Sequence, residues 1–275
     1  MPSLIAQIAR AVIDALDGGE PIVTATVIRA PEGGTPAVAS KLLVRMDGSM
    51  LGSFAIAALD EAVRDAALAQ LSRHGTRLLR LDAAATPLGD RHLDSTWEVL
   101  IEVVESPPVL LIVGAGHIGR ALTKVGALCG FTVAVLDDRP DYADPEKLPE
   151  ATQVLCEDFE EALDRFPINR NTFIVLVSRG HKQDELSLRK VVARPSAYLG
   201  MIGSKRRTST VLQHLADEGF PREALDAVHT PIGLDIGAET PEEIAISIMA
   251  EIIMARRGGS GNVMYYRRGA AARAS

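Results

Sequence analysis

Two hydrophobic periodicities alternate along the chain and divide it. Leu4, Ile5, Ile8, Val12, Ile13 and Leu16 recur at the spacing of one helical face, and Gly18 and Gly19 stop that helix. Apolar runs over 22–29 and 41–46 predict strands, with the turn residues Asp47 and Gly48 after the second. Over 57–71 the pattern returns to helical spacing and sets Leu59, Val63, Ala67 and Leu71 on one side. Strand-like runs at 76–81 and 97–104 complete a small α+β domain. Pro107 and Pro108 then form a stiff break. The predicted domains are therefore 1–106 and 107–275.

Beyond the break, apolar runs at 109–113, 131–136, 152–156, 172–177 and 196–202 alternate with helical stretches. Such alternation predicts a Rossmann-like parallel sheet with right-handed crossovers and helices on both faces. The run 173–177 is apolar throughout, as a central strand buried on both sides should be. Thr240, Pro241 and Glu243 form a capping box with proline at the first helical position. They open a helix over 244–255, apolar around most of its circumference, which suits either the core or a homodimer interface.

The most informative segment lies where the first of these strands ends. Five apolar residues run into Gly114, Gly116 and Gly119, a G-x-G-x-x-G turn, with a helix after it and Asp137 about twenty residues on. Gly114 would permit the tight turn, Gly116 the approach of main-chain amides to a pyrophosphate, and Gly119 close helix–strand packing. The helix start, with His117 and Ile118, would hold the anion. Asp137 is a candidate for a ribose diol and would repel a 2′-phosphate, while Arg139 beside Asp138 pulls the other way.

Ligands of open parallel sheets bind beyond the carboxyl ends of the strands, and the other polar loops fall there too. His181 and Asp184, three apart at a helix start, read either as an acid–base pair or as a helix-favouring acid beside a surface histidine. Gly203, Ser204 and Lys205, followed by Arg206 and Arg207, read as a second anion cradle or as cations on a solvated turn. His117 is equally a phosphate donor or a loop histidine. His74, His92, His214 and His229 lack companion residues and are expected to be structural or superficial.

Bulk properties narrow the classes. A net charge of −7 over 275 residues leaves no large cationic face for nucleic acid. The 2 cysteines, Cys129 and Cys156, cannot make a disulfide framework and point to a reduced, cytoplasmic setting. Cys129 is expected to be buried and Cys156 to face the rim. No metal-ligand spacing, Walker A loop or nucleophile elbow is found, and no apolar run is long enough for a membrane span.

Together these residues resemble the xanthine dehydrogenase accessory (XdhC/CoxI) family. The resemblance rests on 113–119, on Asp137, Asp138 and Arg139, on Arg179, Gly180, His181 and Asp184, and on 198–205. Most specific is the block from Pro231 through Gly233, Asp235 and Gly237 to Thr240, Glu243 and Glu251. In the first domain the family's G-S-T-P-R-x-x-G-A-K loop appears without its arginine and last glycine. Its G-T-I-G-G-G-x-x-E loop is replaced by 52–60, which has lost three consecutive glycines.

The resemblance implies a factor that binds molybdenum cofactor, as molybdopterin or its dinucleotide. It would load an apo-molybdenum hydroxylase such as xanthine dehydrogenase, alongside a cysteine desulfurase that supplies sulfur. It implies cofactor binding by Gly114, Gly116, His117, Ile118, Gly119, Asp137, Asp138, Arg139, Arg179, Gly203, Ser204 and Lys205. The first domain, across Pro107 and Pro108, is expected to close over the pterin as lids do. Two further readings stay open: an NAD(P)-dependent oxidoreductase with His181 or Lys205 as proton donor, and a nucleotide-responsive regulatory protein.

Overall fold

The computed structural model describes residues 3–31, 36–71, 73–89 and 96–264, with the His181 side chain outside the described set. The first part runs α1 (Leu4–Leu16), β1 (Ile22–Arg29), β2 (Lys41–Arg45), β3 (Met50–Leu51), α2 (Ala57–Leu71), β4 (Thr76–Leu81) and β5 (Trp97–Val104). Its antiparallel sheet has the order β3-β2-β1-β5-β4. Alternation along β1 and β2 gives the sheet two apolar faces. Val23, Ala25, Val27, Leu42 and Val44 meet Leu59, Val63 and Ala67 of α2, while Ile22 and Leu43 meet Ile8 and Ala15 of α1. Only part of the α1 stripe is covered: Ile5 and Ile13 stay 74% and 57% exposed. Gly33, Gly34 and Thr35 of the first loop, and His92, fall outside the described residues.

The second part runs β6 (Val109–Val113), α3 (His117–Leu128), β7 (Thr132–Asp137), β8 (Gln153–Cys156), α4 (Phe159–Arg165) and β9 (Thr172–Leu176). It continues with α5 (His181–Val191), β10 (Tyr198–Met201), α6 (Lys205–Asp217), α7 (Arg222–Asp226) and α8 (Pro241–Arg257). All strand pairs here are parallel, in the order β10-β9-β6-β7-β8. This is the predicted Rossmann arrangement, with β6 central and the direction of winding reversing between β6 and β9. Leu110 and Ile112 point to one core, shared with Leu122, Ile248 and Ile252; Leu111 and Val113 point to the other, shared with Leu163, Leu188 and Leu215. His229 bonds Leu199 and Met201 through its backbone, so the chain after α7 lengthens the sheet beside β10.

Two expectations change. Cys129 is exposed, because it caps the end of α3 beyond the helix's last buried turn. The first domain also sits at the wrong end of the sheet to be a lid. Gly18, Gly19 and Glu20 share a cavity with Ile168, Asn169 and Pro195, and Leu16 and Asp17 share another with Val109, Thr132 and Gln153. Those residues lie at the amino ends of the parallel strands. Asn171 Nδ2 donating to the Ser106 carbonyl at 3.0 Å and the Arg256–Glu105 pair at 3.7 Å hold the linker there. The glycine turn lies at the opposite, carboxyl ends.

Candidate functional site

The rim is built from the ends of β6, β7, β9 and β10, and each glycine of the turn has a distinct task. Gly114 has φ 117°, and a Cβ there would lie 2.6 Å from the Val177 carbonyl oxygen; the turn after β6 therefore rests on the turn after β9. At Gly119 a Cβ would overlap the Gly114 carbonyl oxygen at 1.9 Å, so this glycine lets α3 close onto β6. Gly116 differs from both. Its φ is −65° and a Cβ would meet nothing within 4 Å, so the side of the turn that a side chain would fill is open.

Asp137 shapes that turn from below. It is 1% exposed, and its Oδ2 accepts from the Ala115 N–H at 2.8 Å, 22 residues back in the chain. Arg139 donates to the same carboxylate through Nε at 2.7 Å and Nη2 at 2.8 Å, and lies over the Tyr142 ring at 3.6 Å. Burial alone would raise the carboxyl's pKa; the bonds from Arg139 and Ala115 outweigh it and hold the group below its ordinary value. The expected ribose acid is thus turned inward, because both of its oxygens are committed to the turn. Asp138, one residue on, faces outward and meets Arg179 Nη2 at 3.5 Å.

Electrostatically the rim is dominated by unfinished helix starts. α3 opens at Gly116, α5 at Gly180 and α6 at Ser204, each without a side-chain cap. Glycine has no group to offer, but Ser204 has a hydroxyl that it does not use. The strands that lead into these helices, β6, β9 and β10, are neighbours in the sheet. Three sets of main-chain N–H groups, each at the positive end of a helix dipole, therefore converge on one edge. Gly203, at φ 152°, has space only for hydrogen, since a Cβ would come within 2.8 Å of Thr208 Cγ2. His117 is exposed and borders a cavity of about 310 Å³ with Arg120, Lys124, Pro241, Glu242 and Ile246. A larger cavity of about 440 Å³ belongs to the first domain, between α1 and Arg45.

The remaining candidates divide. Asp184 is buried, and its Oδ1 accepts from Ser178 N at 3.1 Å and from Ser178 Oγ at 2.6 Å, so it braces the turn after β9. Lys205 opens α6 on the rim and Ile118 is half-buried beneath the turn.

Sequence reasoning puts Glu251 at the end of the family-like block but gives it no role; it is a polar hub. Its carboxylate accepts from Tyr198 Oη at 2.7 Å and from Gly233 N at 2.7 Å, and pairs with His229 Nδ1 at 3.1 Å. Burial works to raise its pKa, and the bonds from His229, Tyr198 and Gly233 more than reverse that. The family-like block after Pro231 is thereby tied to the sheet edge. Beyond its place in that block, a glutamate on an apolar helix is the hint that residue order carries.

The family model described as the XdhC Rossmann domain matches residues 110–252, and that of the XdhC and CoxI family matches 15–82. The chain belongs to the XdhC/CoxI family. It is 33% identical over 240 residues to the uncharacterized protein YqeB of Escherichia coli, covering 84% of this chain and 43% of that one. It is 32% identical over 166 residues to a probable xanthine dehydrogenase component of Bacillus subtilis, covering 60% and 48% respectively. The chain thus spans under half the length of these curated relatives. A crystal structure from Bacillus halodurans, described as a xanthine dehydrogenase, superposes with TM-score 0.52 at 20% identity, covering 94% of this chain and 96% of that one. That likeness concerns the fold.

Within this XdhC-type chain, the diverged loop at 52–60 is closed from inside. Asp60 accepts from Phe54 N at 2.7 Å and from Ser53 Oγ at 2.6 Å, and the Phe54 ring is 1% exposed in the core. The loop spends the Phe54 amide on its own carboxylate. Among the described residues, no helix is long and apolar enough to cross a membrane.

Proposed function

We propose that this chain is an accessory factor that holds molybdenum cofactor by its phosphate or diphosphate and passes it to an apo-molybdenum hydroxylase such as xanthine dehydrogenase. One observation carries the reading: α3, α5 and α6 start side by side on the rim without side-chain caps, and Gly116 faces open space. Main-chain amides at helix starts are a ready site for a phosphate anion. The name of the Bacillus subtilis relative supports the client class. In this reading the amides of Gly116 to Ile118 take one phosphate, and Lys205 with the start of α6 takes a second charge.

The cofactor, when bound, supplies the redox chemistry; the chain binds, orients and releases. Since the first domain lies at the other end of the sheet, shielding of the pterin would come from the client or from a second copy of the chain. Homodimerisation through α8 fits this, because Ile246 and Ile253 face outward at 51% and 41% exposure. A cysteine desulfurase as sulfur donor remains part of the proposal on the family resemblance alone. The Rossmann strand order supports a second reading, an NAD(P) oxidoreductase, but the inward Asp137 weakens it, since the usual ribose acceptor is spent.

Reconstitution separates the two. A cofactor-free hydroxylase mixed with released molybdenum cofactor should regain activity with the wild-type chain and not with Gly116→Val. Sustained NADH oxidation with a small carbonyl compound, and no reconstitution, would replace this reading with the second.

A further inference from the structure

One ion pair joins the loops on either side of the glycine turn. Asp138 follows β7, and Arg179 lies in the turn after β9. Both strands flank β6 and end level with it, Val113 facing Leu136 on one side and Leu176 on the other. Strands in a sheet lie about 4.8 Å apart, so roughly 10 Å separates the ends of β7 and β9. Arg179 Nη2 and Asp138 Oδ2, 3.5 Å apart, span that gap over the end of β6. The chain leaves β6 for the glycine turn between these two loops.

We propose that Asp138 holds Arg179 in reserve, and that an anion entering the glycine turn takes Arg179 from it. The inference rests on the phosphate reading above and adds how entry is controlled. The side chains are 53% and 34% exposed, so the pair is screened and held weakly. A pair of this kind shifts an equilibrium by about fivefold at most. A phosphate oxygen above the Gly116 amides offers the same guanidinium a charge-assisted, forked partner.

Arg139 cannot play this part, because Asp137 already engages its Nε and Nη2; Arg139 Nε lies 3.9 Å from Asp138 and is the only other cation paired with it among the described residues. Asp138 is therefore a competitor of the ligand, and its removal should tighten binding. Arg179 is a binding residue, and its removal should weaken it. The two effects should not add, because Asp138 acts through Arg179.

Titration calorimetry with inorganic pyrophosphate at low salt tests this on the full chain. Asp138→Asn should tighten binding about threefold to fivefold, and Arg179→Gln should weaken it about tenfold. In the double variant the gain from Asp138→Asn should fall below about twofold, which distinguishes a strap from a general relief of negative charge. If the gain persists without Arg179, or if Asp138→Asn weakens binding while Gly116→Val abolishes it, the strap is wrong and the anion site stands. If neither wild type nor Asp138→Asn binds pyrophosphate, the anion site itself fails and the strap with it.

Discussion

The starts of α3, α5 and α6 and those of α1, α4 and α8 pose the same physical problem, a first turn with unpaired N–H groups, and solve it in opposite ways. Ser3 caps α1, Asp158 caps α4 through Glu160 N and Glu161 N, and Thr240 with Glu243 makes a full capping box on α8. On the rim, Gly116, Gly180 and Ser204 leave the amides open. α7, a five-residue helix away from these three, also lacks a side-chain cap, with Pro221 at its N-cap. Glycine is itself a tolerated N-cap, only a few tenths of a kcal/mol below the capping residues, while the unused Ser204 hydroxyl forgoes up to about 1 kcal/mol, so the three open starts cost the fold little. Their concentration on one edge separates a surface shaped for a guest from one finished for folding.

The sharpest way to break this contrast compares two glycines of one motif. Gly119→Ala should lower unfolding free energy by more than about 3 kcal/mol, since backbone rather than a flexible side chain blocks the new methyl. Gly116→Val, built into open space, should stay within about 1 kcal/mol of wild type in a denaturant titration. Equal losses at both positions would erase the distinction between a packing glycine and a ligand-facing one.

Next in size is Glu251→Ala, expected to cost about 2–4 kcal/mol because Tyr198 Oη, Gly233 N and His229 lose a shared acceptor in a half-buried place. Hydrogen exchange at Gly233 and Leu234 should rise with it. A neutral effect would mean that the block after Pro231 is held by packing alone.

Acid should act through the same carboxylates. Asp137 and Glu251 are held below their ordinary values of 3.8 and 4.5. A lowered folded-state pKa contributes stability that is present above the ordinary value and disappears as pH falls through the folded one. Thermal melts should therefore be flat from neutral pH to about 5 and fall below about 4, with a shallower fall in Asp137→Asn. An identical acid limb in that variant would show that Asp137 is not the group titrating.

The smallest effect tests the caps themselves. Thr240→Ala should lose about 1 kcal/mol, whereas Ser204→Ala should lose under about 0.3 kcal/mol because its hydroxyl caps nothing. Comparable losses would mean that Ser204 closes its helix in solution.

Much of the fold is legible from residue order, and the boundary of legibility is physical. Buried parallel strands announce themselves as unbroken apolar runs, and the capping box of α8 is local in sequence, so both are predicted within a few residues. β3, Met50–Leu51, is too short to show a period. The inward turn of Asp137 depends on Ala115, which the chain brings near only by closing a βαβ unit. The side on which the first domain lies depends on how 105–108 leave β5, and neither proline encodes that direction. The composition of 52–60 is visible in the residues, but the closure of the loop on the Asp60 carboxylate emerges only from the hydrogen bonds.

The most direct test watches the amides themselves. In ¹⁵N-labelled protein titrated with pyrophosphate, the resonances of Gly116, His117, Ile118 and Lys205 should move together and saturate at one dissociation constant. Those of Glu160 and Glu161, closed by Asp158, should stay still. Rim amides that do not move at pyrophosphate concentrations that saturate calorimetric binding, or that move no more than those of α4, would contradict the claim that the open helix starts hold the guest.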